Sequence, residues 1–238
     1  MRLPAGLDKR ERDRDGSDVA RAGADGGAGG VARAFATLGR GDVAFAGGKG
    51  ANLGELTAAG LPVPPGFVIG APAYAVHCDS GDLRARISAR LSGLELDDTA
   101  ALELAADELR GEIEREPLPV EVARAIRGAY LELAGADPEA PVAVRSSATA
   151  EDTESASFAG MNETLLNVRG AEAVLAAVHR CWSSLFGARS IYYRAQRGLD
   201  QGEMDIAVVV QRQIESSRAG VMFTIDPASG ARNRIVIE

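Results

Sequence analysis

The chain changes character at about Asp137, and that change limits what it can fold into. Before it, the segments APAYAVHCDSGDLRARISARL and TAALELAADELRGEIERE both carry helical apolar spacing. Pro117 and Pro119 then introduce a third helix, VEVARAIRGAYLELAG. After it, PVAVRSSA reads as a strand ending in small polar residues and ETLLNV as a second. IAVVVQ reads as a buried strand, and GVMFTIDP and RIVIE supply two more. One amphipathic helix interrupts this series, with Val174, Val178, Cys181, Trp182 and Leu185 on one stripe and GLDQG as its break. The expectation is an α+β fold, helical in its first half and strand-rich in its second. Residues 1–33 are expected to be a disordered tail, because Arg and Asp mixed with RAGADGGAGG offer little apolar surface to offset ordering entropy. Residues 34–136 form a glycine-loop and helical subdomain on this reading, and residues 137–238 a strand-rich lobe.

Composition removes several classes of function. A net charge of -8 argues against a nucleic-acid-binding surface, since phosphate backbones reward basic patches. No stretch approaches the ~20 consecutive apolar residues of a membrane span. The start, MRLPAGLDKRERDRDG, lacks the apolar core of a secretory signal. Cys78 and Cys181 are far apart in sequence and fit a reduced, cytoplasmic chain better than a disulfide or zinc framework. His77 is expected to be solvated at a helix end and His179 packed. Neither has Cys or Asp at ligand spacing, which argues against a zinc site or a hydrolase triad.

What remains points toward phosphate chemistry. Nearly every cation is Arg; the lysines are Lys9, in the charged tail, and Lys49. Lys49 sits in the string GGKGANLGELTAAG, read as a glycine loop feeding a short helix that stops at Gly60. Successive glycines let backbone N–H groups converge on an anion at a helix N-terminus, and a lysine adds a mobile cation. Gly50 stands where a Walker A loop needs Ser or Thr, so that motif is excluded. A tight turn with a solvent-facing lysine fits the same string. Arg145, at a strand end beside Ser146, Ser147 and Thr149, suits a polyphosphate: its fork binds oxygens bidentately and the hydroxyls add donors. A surface arginine on a serine-rich loop fits equally. The loop ATAEDTESASFAG is long enough for a functional segment, with Gly160 allowing close backbone approach. Gln211, closing IAVVV, is either a reader of a purine edge or a satisfied polar cap.

The order and wording of these strings are more specific than any one of them. GGKGANLGEL, LPVPPGFVI, AVRSSATAED, SFAGMNETLLNV, RCWSSLF and VVQRQIESSRAGVMFTIDP together resemble the N-terminal ATP-binding domain of the phosphoenolpyruvate synthase and pyruvate phosphate dikinase family, a domain also found in rifamycin phosphotransferases. The resemblance covers residues 34–238 and implies an ATP-grasp-like fold, here incomplete at its C-terminal end. It implies that Lys49 contacts phosphate, that Arg145 is the arginine of the RSSAT strand, that Gly160 and Thr164 contact nucleotide, and that Gln211 lies at the adenine side. It further implies transfer of a phosphoryl group from ATP to a histidine on another domain, then to pyruvate, with Mg2+ held by residues outside this sequence. The phosphohistidine and acceptor domains are the expected partners. A rifamycin phosphotransferase and a non-catalytic nucleotide-binding module are the alternatives. The chain alone is expected to be inactive.

Overall fold

The computed structural model describes residues 30–149, 163–199 and 204–238. Its centre is a five-stranded antiparallel sheet in the order β1-β2-β5-β3-β4, comprising β1 (Ala32–Ala34), β2 (Gly66–Ile69), β3 (Val142–Ala148), β4 (Thr164–Val168) and β5 (Ile206–Arg212). β5 explains the arrangement. Five consecutive apolar residues leave neither side of the strand suited to water, so both faces must be covered. Ile206, Val208 and Val210 face one core, with Phe67 and Ile69 of β2 and Val142 and Val144 of β3. Ala207 and Val209 face the other, with Val68, Phe35, Leu38 and Ala46.

The larger core is roofed by helices: α2 (Ala71–Ser80), α3 (Leu83–Leu91), α4 (Thr99–Arg115), α5 (Val120–Ala134), α6 (Ala171–Ser183) and α7 (Ala188–Gln196). The smaller core lies under one helix, α1 (Val43–Ala58). All five stripe residues of the α6 segment are buried. A single hydroxyl ties three of these pieces together. The Tyr130 hydroxyl of α5 is shared between the Pro138 and Ala140 carbonyls, 2.9 and 3.0 Å away, and accepts the Gly170 N–H that opens α6 at 2.9 Å.

Several expectations need correction. The chain is ordered before residue 34: Ala32, Arg33 and Ala34 pair with Ile69, Val68 and Phe67, because a short strand can dock on β2 by its backbone without a large apolar face of its own. Residues 1–29 of the expected tail lie outside the described residues. The segment from Ala71 to Leu91 is two helices, not one, because Asp82 adopts φ 55° after Gly81 and turns the chain. The strands expected from GVMFTIDP and RIVIE shrink to β6 (Met222–Phe223) and β7 (Val236–Ile237), which pair only with each other in a separate two-stranded sheet. The main sheet also crosses the expected division at residues 136/137, since β2 pairs with β5 and both contribute to one core.

The α1 end behaves as glycine chemistry requires. Gly60 takes φ 74°, its N–H reaches the Thr57 carbonyl, and the Leu61 N–H reaches back to Leu56, the paired bonds of a left-handed helix stop. Residues 61–65 then run without regular structure into β2. No helix among the described residues is long and apolar enough to cross a membrane.

Candidate functional site

Directly opposed residues of antiparallel strands share a face. Ser147 opposes Ala207, and Arg145 opposes both Val209 and Thr164. Gln211 opposes Ala143 on one side and Gly66 on the other. Because Ala207 and Val209 belong to the core beneath α1, the side chains of Arg145, Ser147, Thr164 and Gln211 all belong to that face of the sheet.

α1 meets this face at a break. The GGKG string is not a loop before a helix, as its glycines suggested; helical turns begin at Val43 and are interrupted at Gly47, with φ 65° and ψ 172°. A Cβ on Gly47 would lie 2.3 Å from Ser147 Oγ and 2.4 Å from the Ser147 carbonyl oxygen, so the break is pressed against β3. The helix resumes at Gly48, and the opening N–H groups of a helix are as a rule satisfied from outside it. Gly47 has no side chain to cap them. Ser147 supplies the cap from the strand: its buried hydroxyl accepts from the Gly50 N–H at 3.4 Å and donates to the Ala46 carbonyl at 2.9 Å. Lys49 sits half-buried inside this turn.

Arg145 is in mid-strand rather than at a strand end, the fourth of seven residues in β3. It is half-buried, and its Nε is enclosed without a hydrogen-bond partner among the described residues. A buried guanidinium nitrogen left in that state costs free energy unless an acceptor arrives. Thr164, directly across from it, is exposed. Gln211 donates its side-chain N–H to the Pro64 carbonyl at 3.0 Å, which ties the end of β5 to the proline segment.

The hydroxyls beside Arg145 do not serve as expected. Ser146 donates to the Glu163 carbonyl, Ser147 to Ala46 and Thr149 to Asp205. Their protons are committed to the backbone. Gly160 and the SFAG string lie outside the described residues. The structure therefore gathers Arg145, Thr164 and Gln211 with the Lys49 turn on one face. The part played by Ser147 escaped the sequence reading, although a two-residue offset from Arg145 already places it on the same side of a strand.

The histidines lie elsewhere, in the helical layer. His77 is fully buried, not solvated, because α2 turns its ring inward: it stands 5.2 Å from the His179 ring and 5.0 Å from that of Trp182. Burial pushes its pKa down to about 4, with His179 adding to the effect, and burial also lowers that of His179. His77 presents no imidazole at the surface. No group of three or more His, Cys, Asp or Glu converges as a metal site among the described residues.

Residues 43–238, opening with the first residue of α1 and including Lys49, Arg145, Gly160, Thr164 and Gln211, match the model of the pyruvate phosphate dikinase AMP/ATP-binding domain. The chain belongs to that family. A probable phosphoenolpyruvate synthase from Methanothermobacter thermautotrophicus is 47% identical over 207 residues, covering 86% of this chain and 30% of the relative. A second, from Methanocaldococcus jannaschii, is 48% identical over 200 residues, covering 83% of this chain and 17% of the relative. The phosphoenolpyruvate synthase of Pyrococcus furiosus is 39% identical over 237 residues, covering 85% and 29% respectively. This chain thus spans less than a third of the length of these relatives.

Proposed function

We propose that this chain is the ATP-binding part of a phosphotransferase that moves a phosphoryl group from ATP to a histidine on another domain and then to pyruvate. The observation that carries the reading is Arg145, whose enclosed Nε lacks an acceptor among the described residues and lies on the same sheet face as the Lys49 turn. Transfer of a phosphoryl group depends on positioning and on neutralising spread-out negative charge. In this reading the Arg145 fork holds phosphate oxygens from the strand side while the Lys49 ammonium and the N–H groups of its helical turn meet them from the other. Gln211, with its N–H held by Pro64, offers its carbonyl oxygen to the amino group of the adenine. Gly160 and Thr164 complete the nucleotide contacts, and the whole adopts an ATP-grasp-like clamp. The relatives' common name, phosphoenolpyruvate synthase, favours pyruvate as the acceptor.

On this reading Mg2+ accompanies ATP and its protein ligands lie outside this chain; among the described residues no group of three or more His, Cys, Asp or Glu converges. The phosphoryl-accepting histidine belongs to another domain on this reading, because His77 is sealed in the core and His179 packs beside it. Two buried free thiols, Cys78 and Cys181, suit a reducing, cytoplasmic setting.

Calorimetric titration of the purified chain with ATP tests the binding half of the reading. Arg145→Ala and Lys49→Ala should each weaken ATP binding without an equivalent loss of thermal stability. In a full-length protein that contains this chain, each should lower kcat/KM by about 2–4 kcal/mol, as expected for removing a charge that stabilises a reacting phosphoryl group. Unchanged ATP affinity in both variants would overturn the site.

A further inference from the structure

Resting on that nucleotide reading, we propose that Ser147 is a positioning residue for the phosphate groups: it holds the break in α1 so that the turn carrying Lys49 is presented in register with Arg145. The hydroxyl is bonded to both sides of the break, to Ala46 before it and Gly50 after it. Gly47, Gly48 and Lys49 are the residues so bracketed. Contact with Ser147 is close enough that Gly47 has no room for a side chain. The same strand carries Arg145 two residues earlier on the same face, about 7 Å away along the strand by ordinary β geometry. β3 therefore acts as a ruler: its guanidinium and its cap set the spacing between the two cationic groups. A loop of glycines alone would sample many conformations and lose that spacing.

A cap that only stabilises the fold and a cap that positions the turn differ in what their loss does to ligands. Removing a purely structural hydrogen bond lowers stability and leaves the folded protein's affinities intact. Removing a positioning bond weakens ligands in proportion to their phosphates and spares the nucleoside. Ser147→Ala should raise the ATP Kd about tenfold, the equivalent of about 1.4 kcal/mol, while the adenosine Kd stays within about twofold. Ser147→Cys, nearly the same size but a weak donor and acceptor, should also bind ATP more weakly and covers the case in which the alanine variant does not fold. Tyr130→Phe, which removes a buried hydroxyl with three backbone partners on the opposite face, supplies the comparison: lower stability with ATP affinity unchanged. Titrations of the whole chain with ATP and with adenosine read all of these, beside urea midpoints for each variant. Wild-type ATP affinity in a folded Ser147 variant, or equal losses for ATP and adenosine, overturns the positioning role alone. A wild-type chain that binds no ATP overturns the nucleotide reading and this one with it.

Discussion

At Gly47 two separate demands fall on one residue. The backbone stands at φ 65°, and the space a Cβ would need is filled by Ser147. Either condition is met by glycine; together they leave no alternative, since a left-handed conformation costs a non-glycine residue about 1–3 kcal/mol before any clash is counted. Gly47→Ala should therefore lower stability by more than that range alone implies, because the clashing atoms at 2.3 and 2.4 Å include strand backbone that cannot move aside cheaply. Urea denaturation measures it, and a variant within about 0.5 kcal/mol of the parent, the ordinary range for an inconsequential substitution, would mean the break relaxes freely. The sequence showed that this position was special, since a glycine pair beside the one lysine of the folded part is legible as it stands. It did not show that the helix begins before the glycines, because Val43–Ala46 contain no cap and Ser147, which supplies one, lies 101 residues from the Ala46 carbonyl it bonds.

Among the elements, α6 was legible and the joints between helices were not. Its apolar stripe repeats at helical spacing, and the structure buries every member of it. The turn at Gly81 and Asp82 was hidden because apolar residues continue at helical spacing on both sides, Tyr74 and Cys78 before it and Leu83 and Ile87 after it. The short edge strand β1 was hidden for a related reason: Ala32, Arg33 and Ala34 have no strand pattern and owe their conformation to β2. Trp182 makes the α6 packing measurable. It is fully buried, its ring centre lies 5.7 Å from that of Tyr74 on α2, and it is the single tryptophan of the chain. Trp182→Ala should cost about 3–5 kcal/mol, the usual range for emptying a large aromatic site in a core. A loss below about 1 kcal/mol by urea denaturation followed by circular dichroism would show that α6 repacks over the gap.

For the molecule as a whole, the pair of histidines between α2 and α6 links stability to pH. His77 and His179 face each other and Trp182, and the acidic groups acting on them come from α4 and its end: Glu116 favours a charge on His77 and Glu114, which accepts a 2.6 Å hydrogen bond from the Ser183 hydroxyl, favours one on His179. Burial outweighs both, so the folded chain keeps His77 neutral down to about pH 4, against an ordinary value of 6.5. In the unfolded chain the imidazole takes up its proton as pH falls through 6.5. Between those limits the unfolded state binds more protons, so stability must rise with pH across the window and flatten above it. The loss from His77 between pH 7 and pH 5 should be about 2 kcal/mol, at about 1.4 kcal/mol per pH unit once below the unfolded pKa. Carboxylates held low by partners, such as Asp42 beside Arg33, lose their contribution only as pH falls below the ordinary carboxylate range, which separates the two effects. Urea midpoints followed by Trp182 fluorescence at pH 7, 6 and 5 read the slope. His77→Leu removes the titrating group and fills its place with an apolar side chain, and the slope between pH 6.5 and 5 should then fall to the part left by His179. A slope that survives the substitution undiminished would assign the pH dependence to other groups, and would mean that α2 opens to water around His77 well before the chain unfolds.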